Sequence, residues 1–466
     1  MQAGQLEECH HATDWCARGF FVTKPSSTVD SIKVRLVSDF RGVNKILRRP
    51  GYPMDGSSLI LKRLDPNETF FATIDLSSGY HQVALDPASR DMFSIILPQG
   101  KYRYTVLPQG AASSCDIFNI ITDKGIRNKK GHFKNVDDIL TAATSISQMG
   151  ERLHALLLLC RDKNMKLNPD KFEVSHKVTF GGVELSGERK LGDKARRVYI
   201  TPAKKRLEEF FALETPKCRA DAQRIVGMAN QLKRWTPGIA FQTCGMRKLT
   251  SKNVKFMWNE DLQKELDGLK AKMREHINIS PVDVNKEIHA HIDAAQKEGM
   301  AYLLCQPRSN DPADGKTIIS CNSTTFSDAQ KRYSPFECEA LCAVWLCKSE
   351  DFFMRGADEI KVFTDAKGLK GLYEGELGKI ENSRLQGMME KLMPYNLNFI
   401  HVPGKDNEVA DFGSRYPRSE LKGEEFPIQR PSVCHRSRRI QEKLFDIRDP
   451  EADRIDQIAI DDIHNK

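Results

Sequence analysis

Phe133-Lys134-Asn135-Val136-Asp137-Asp138-Ile139-Leu140 sets two adjacent aspartates between two short apolar runs. Asp is a turn former and the flanks suit strands, so the stretch predicts a tight β-hairpin with the acids at its tip. Held side by side, the two carboxylates repel unless a cation lies between them. An isolated Asp-Asp is most often a solvated surface turn. A third acid brought to the same place changes that reading, and Asp75 supplies one. It closes the β-prone run Phe70-Phe71-Ala72-Thr73-Ile74 and precedes a Ser77-Ser78-Gly79 break. Three carboxylates from two strands can hold two divalent ions ~3.5–4 Å apart. Magnesium suits such a site because hard oxygen ligands and substrate phosphates complete its octahedron.

Working outward, the chain has 466 residues, room for about two to four domains of ~100–200 residues each. With 40% hydrophobic and 29% charged residues it has the composition of a globular protein. No apolar run approaches the ~18 residues needed to span a bilayer, and Met1 to Cys16 lacks a charged-then-apolar signal pattern. Twelve cysteines without paired spacing point to reduced thiols. The net charge of +8 is compatible with a polyanionic partner and does not identify one. Cys9-His10-His11 with Cys16 matches no standard zinc spacing and reads as incidental loop ligands.

Gly19 to Val22 and Ile32 to Val37 read as strands around a Lys24-Pro25-Ser26-Ser27 turn. Phe93 to Ile96 and Tyr102 to Thr105 read as a hairpin. Ala111 to Ile126 and Ser147 to Lys163 read as helices, the second with Met149, Leu153, Leu156, Leu157 and Cys160 on one face. From 70 to 185 the pattern is a sheet backed by helices. From Thr201 to Met273 it is helical, with Pro202 placed for a first helical turn. A second α+β unit follows, with strands at 288–292, 300–304, 361–364 and 397–402 and helices at 336–346 and 383–392. The end, from about Ser419, is charged and poor in apolar residues and reads as a linker or tail.

Ile74-Asp75-Leu76-Ser77-Ser78-Gly79-Tyr80, Leu107-Pro108-Gln109-Gly110 and Val136-Asp137-Asp138-Ile139-Leu140 occur in that order. Together they resemble the palm of a reverse transcriptase of gypsy-type LTR retrotransposons. The match runs back through Arg35 to Lys45 and forward through Met165 to Lys171 and Val226 to Asn230. The resemblance implies that Asp75, Asp137 and Asp138 carry the metals and that Tyr80 stacks under the sugar and excludes a 2′-hydroxyl. It also implies that Gln109 contacts the incoming nucleotide or template. Arg35 and Lys24 would clamp the triphosphate, a task for which a guanidinium fork is well shaped. One departure stands out: the family usually has Tyr or Phe two places before the paired acids, and this chain has Asn135. An aromatic there supports the primer end by packing, and Asn cannot supply that area. Weakened or altered activity is the expectation.

Asp293, Glu339, Asp365 and Asp411 mean nothing by spacing alone. Their contexts, His291-Ile292-Asp293-Ala294, Phe336-Glu337-Cys338-Glu339-Ala340, Phe363-Thr364-Asp365-Ala366 and His401-Val402-Pro403-Gly404 onward to Asp411, resemble the ribonuclease H domain that follows these polymerases. Glu339 rather than Glu337 fits the family register. The four acids would hold two further ions and activate water against an RNA phosphodiester, with His401 helping proton transfer or product release. Cys338, Cys342 and Cys347 read as small apolar packing residues.

The resemblance implies an α+β multidomain protein. A right-hand polymerase of fingers, palm and thumb would be followed by a connection segment and a ribonuclease H-like α/β domain. The expected boundaries are 1–200 for fingers and palm, 201–280 for a helical thumb or connection, 281–418 for the ribonuclease H-like domain and 419–466 for the tail. The implied activity is RNA-directed DNA polymerase with ribonuclease H, using two Mg2+ (or Mn2+) per site. Its partners would be an RNA template, a DNA primer, the RNA–DNA hybrid and dNTPs, with no membrane and with a homodimer compatible. Location would be intracellular, in a cytoplasmic element particle with nuclear access. A family polyprotein also carries a protease and an integrase, so the chain reads as a fragment or a decayed element. Two alternatives stay open: an inactive relic that only binds nucleic acid, and a ribonuclease H-like recombinase. The second leaves Asp75, Tyr80 and Gln109 without a purpose.

Overall fold

A computed structural model describes residues 4–23, 34–127, 129–190, 195–309, 315–404 and 407. The chain divides into two compact units. The first comprises Met1–Leu61 and Phe70–Gly181, the second Lys62–Thr69 and Gly182–Lys466. The helical block expected at 201–280 falls within the second unit. Lys24, Asp411 and the charged end lie outside the described residues.

The first unit has nine strands that bear on the site. They are β1 (Leu6–Glu8), β2 (Ala17–Thr23), β3 (Val34–Ser38), β4 (Phe70–Leu76), β5 (Ser94–Leu97), β6 (Gly100–Tyr104), β7 (His132–Asn135), β8 (Asp138–Ala143) and β9 (Leu167–Ser175). One sheet runs β1-β6-β5-β2-β3 and a second runs β7-β8-β4-β9. In the second, successive side chains take opposite faces. Ile74 and Ile139, which pair across β4 and β8, join Leu76, Phe118, Leu156 and Cys160 in one apolar core. Asp75 and Asp138, the next pair along, therefore occupy the opposite face.

The helix of Ile146–Asp162 packs beneath this sheet and starts where Ser145 Oγ accepts from Gln148 N. The preceding helix is shorter than the sequence suggests, spanning Ser114–Thr122 rather than 111–126. Gly110 at φ +98° holds the chain in a turn before it, and Gly125 at φ +104° lies just past its end.

In the second unit, β10 (Lys177–Phe180) belonging to the first, the strands continue with β11 (Val183–Glu188) and β12 (Arg197–Pro202), an antiparallel pair. Val198 N donates to Pro66 O at 2.9 Å, which ties residues 62–69 to this pair. Four helices follow, Lys204–Phe211, Arg219–Leu232, Cys244–Leu249 and Glu260–Arg274. Trp235 Nε1 donates to Ile200 O at 2.9 Å, and Ser280 N donates to Ile318 O at 2.8 Å, so the helical block is pinned at both ends.

The last sheet contains β13 (Ile288–Ala295), β14 (Gly299–Pro307), β15 (Lys316–Thr325), β16 (Ile360–Thr364) and β17 (Leu397–His401) in the order β15-β14-β13-β16-β17. β13, β14 and β15 are antiparallel neighbours, whereas β13, β16 and β17 run parallel. The apolar helix Pro335–Ser349 covers it, started by a capping box of Ser334 and Glu337. Cys338, Cys342 and Cys347 are fully buried free thiols in that core, the packing role read for them.

Candidate functional site

The predicted hairpin forms, with Val136 and Asp137 as its two turn residues. Val136 sits at φ +59°, a left-handed conformation disfavoured for a β-branched residue. Its side chain packs against the core under the sheet, and Leu76 N donates to Asp137 O at 2.9 Å. These contacts fasten the strained turn against the end of β4. Gly79 closes the fit, because a Cβ there would meet Phe118 and approach Asp137.

Asp75 stands opposite Asp138 in the antiparallel register of β4 and β8. Asn135 is opposite Asp138 on the other side, and Asn168 opposite Asp75, so the four residues form one polar row across the sheet. Asp138 is open at the mouth of the site, yet desolvation pushes its carboxyl up to about 6, with Asp137 and Asp75 adding like charge. Lys171 Nζ lies 2.9 Å from Asp75 Oδ2 and opposes that repulsion. Among the described residues, Asp75, Asp137 and Asp138 are not one of the groups whose ligand atoms all lie within 4.8 Å of one another; they share one end of the sheet, and their hard oxygen donors are the type a divalent cation prefers.

Arg35, Asp75, Tyr80, Gln109, Asp137 and Lys171 line one cleft of about 880 Å3. Arg35 is exposed on β3 and Gln109 exposed in the turn before the Ser114–Thr122 helix. Tyr80 packs edge-on against Phe118, with ring centroids 5.3 Å apart. Burial and a hydrogen bond with Cys115 hold its phenol neutral, well above the usual range. Asn135, which replaces the family's aromatic, donates through Nδ2 to Ser57 Oγ at 2.9 Å.

In the second unit, Asp293 on β13, Glu339 on the covering helix and Asp365 just after β16 bring carboxylate oxygens within 4.8 Å of one another. Glu339 accepts from Ala294 N at 2.7 Å and from Thr364 Oγ1 at 3.1 Å. Burial, with Asp293 and Asp365 beside it, pushes its carboxyl up to about 8. Glu337 is engaged elsewhere, with Ser334, Asn382 and Arg384. His401 is exposed at the end of β17, in register with Thr364.

Three further residues were not assigned a part from the sequence. Lys171 lies in a quoted motif, where nothing local marks it as Asp75's partner. Asn407 is buried, donates to Ile292 O at 2.8 Å, and meets His291 Nδ1 through its Oδ1 at 3.2 Å. His291 stacks on Phe363 and contacts Lys316 Nζ at 2.7 Å. Burial, then Lys316, pushes the imidazole down to about 4. It is thus neutral, its Nδ1–H donating to Asn407 and its Nε2 accepting from Lys316.

Residues 22–185 match the family described as reverse transcriptase (RNA-dependent DNA polymerase), and residues 283–395 match the RNase H-like domain found in reverse transcriptase. The class is therefore a reverse transcriptase domain followed by a ribonuclease H-like domain. The retrovirus-related Pol polyprotein from transposon 412 of Drosophila melanogaster is 29% identical over 86% of this chain and 31% of its own length. The Pol polyprotein from transposon gypsy of the same organism is 26% identical over 84% of this chain and 37% of its own. The Tf2-3 transposon polyprotein of Schizosaccharomyces pombe is 24% identical over 85% and 28%. These relatives are Pol polyproteins of LTR retrotransposons, and the chain spans about a third of their length.

Among solved structures, the foamy viral protease-reverse transcriptase in complex with RNA/DNA hybrid aligns over 91% of this chain and 54% of its own, with TM-score 0.69 and 18% identity. The same protein in complex with dsDNA aligns over 86% and 80%, with TM-score 0.71 and 18% identity. The fold is thus the expected right-hand polymerase with a ribonuclease H-like α/β domain. Members of these families generally depend on divalent metals.

Proposed function

We propose that the chain is an RNA-directed DNA polymerase with ribonuclease H activity, copying retroelement RNA into DNA and degrading the RNA of the hybrid. The observation that carries this reading is the register of Asp75 against Asp138, with Asp137 in the adjoining turn, beside the cleft that Arg35, Tyr80 and Gln109 share. Two Mg2+ (or Mn2+) held by Asp75, Asp137 and Asp138 would acidify the primer hydroxyl and neutralise the departing pyrophosphate.

Around that centre, Arg35 offers a fork of donors to the triphosphate. Tyr80, braced by Phe118, walls the sugar pocket against a 2′-hydroxyl, and Gln109 meets the incoming nucleotide or the template. The substrate is a template–primer duplex of A-like form, gripped by sugar and phosphate rather than base edges. In the second unit Asp293, Glu339 and Asp365 would hold the ions of the nuclease site together with Asp411. Thr364 and Ala294 N fix Glu339 in place, and His401 serves proton transfer or product release.

The test is magnesium-dependent dNTP incorporation on poly(rA)/oligo(dT), with RNA cleavage in a labelled hybrid measured in parallel. Asp137→Asn abolishes incorporation and spares cleavage, whereas Asp293→Asn does the reverse. A wild-type chain that binds the hybrid and does neither is the inactive relic, and overturns the proposal.

A further inference from the structure

Cys9-His10-His11 follows β1 and has no zinc spacing of its own. The fold supplies what the spacing lacks: Asp91, 80 residues on, faces His11 directly. His11 Nε2 lies 3.1 Å from both Asp91 oxygens and 3.9 Å from Cys9 Sγ, and one ligand atom from each residue falls within 4.8 Å of the others. We propose that Cys9, His11 and Asp91 form a Zn2+ site that fastens the N-terminal strand to the first sheet.

The geometry is close to what the ion requires. Bonds of ~2.3 Å to sulfur, ~2.0 Å to nitrogen and ~2.0–2.2 Å to oxygen at tetrahedral angles separate S from N by roughly 3.6 Å and N from O by roughly 3.3 Å. The distances here differ from those by a few tenths of an ångström. A thiolate with an imidazole selects zinc over magnesium or calcium, which prefer all-oxygen cages. Cys9 is buried and His11 is exposed, so the cluster has an entry path and an open fourth position for water.

The surroundings orient each ligand. Cys9 N donates to Lys101 O at 3.0 Å, and Lys101 Nζ donates to His11 O at 3.1 Å. Arg103 Nη1 donates to Asp91 Oδ1 at 2.6 Å, which leaves Oδ2 for the metal. The same guanidinium donates to Glu7 Oε1 through Nε at 2.6 Å, linking the outer shell to β1 itself. The Arg103 contact keeps the Asp91 carboxyl below its usual range and hence ionised as a ligand must be. A purpose is also visible. β1 has three residues paired only to β6, a short ladder for the start of a sheet. A metal bridging residues 9, 11 and 91 closes a long loop and secures that strand.

The experiment uses the full chain, stripped with chelator and titrated with Co2+ and then Zn2+. The wild type and Cys16→Ser should develop a thiolate-to-cobalt charge-transfer band that saturates at about one equivalent and is displaced by Zn2+. Cys9→Ser and His11→Ala should lack it. Zn2+ should raise the unfolding temperature of the wild type more than that of His11→Ala, an exposed position, since the two acidic sites are present in both. Absence of the band in the wild type, or a band unchanged in both variants, shows a plain His11–Asp91 ion pair and overturns the proposal.

Discussion

Asp75 and Asp138 occupy opposing positions on antiparallel strands, and the burial and like charge around Asp138 raise its carboxyl to about 6 from an ordinary 3.8. The sign of the stability effect follows. Between those two values the folded chain binds a proton that the unfolded chain releases, so stability rises as pH falls from above 6 toward 4. Above that window the ionised carboxylate is a net cost. Asp138→Asn should therefore raise the unfolding temperature in chelator at about pH 7.5, with the gain shrinking toward about pH 5. Thermal melts across that range check it, and a gain that does not vary with pH contradicts the assignment.

Asn135 bears on activity rather than on stability. Its amide bonds Ser57, and it provides none of the aromatic area that the family usually has there. Asn135→Tyr should restore packing worth about 0.5–1.5 kcal/mol, which corresponds to roughly two- to tenfold faster incorporation on poly(rA)/oligo(dT). Unchanged or slower incorporation shows that the Ser57 bond has taken over the aromatic's role.

Much of this site was legible because its signals are local. The Asp-Asp turn, the β-prone run of Phe70 to Ile74 and the break at Ser77-Ser78-Gly79 each depend on neighbours within a few residues. The capping box of Ser334 and Glu337, not read from the sequence, occupies Glu337 and leaves Glu339 free for the acidic cluster. What escaped depends on contacts across the fold. Lys171 meets Asp75 at a separation of 96 residues, and Asn407 meets His291 at 116. No periodicity encodes such pairs. The left-handed Val136 escaped for a different reason: its propensity argues against the conformation that packing imposes.

Glu350 anchors residues 62–69 within the second unit. Its buried carboxylate accepts from Tyr302 Oη at 2.9 Å, Ser320 Oγ at 2.6 Å and Lys62 Nζ at 2.8 Å. Removing it strands a largely buried ammonium and two hydroxyls at once. Glu350→Ala should cost about 3–5 kcal/mol of stability, read from the midpoint of urea unfolding. A loss below about 1 kcal/mol, the scale of a surface ion pair, contradicts the role given to it.

Glu339 should make cation binding at the Asp293–Glu339–Asp365 cluster proton-linked. Its carboxyl is raised to about 8 from 4.5, so at neutral pH it carries a proton that an incoming divalent ion must expel. One proton released per ion raises apparent affinity about tenfold per pH unit below that value and flattens above it. Asp137→Asn with Asp138→Asn removes the first site and His11→Ala removes the Cys9–His11–Asp91 cluster, so Mn2+ binding in the triple variant reports on the Glu339 site alone. Calorimetry in two buffers of different ionisation enthalpy should show proton release at about pH 7 that fades toward about pH 9. Glu339→Gln should weaken binding and abolish the proton release together, since it removes both the charge and the titrating group. Affinity that stays level between about pH 6 and 8 means that Glu339 is already ionised without metal, and the electrostatic account of the cluster is then wrong.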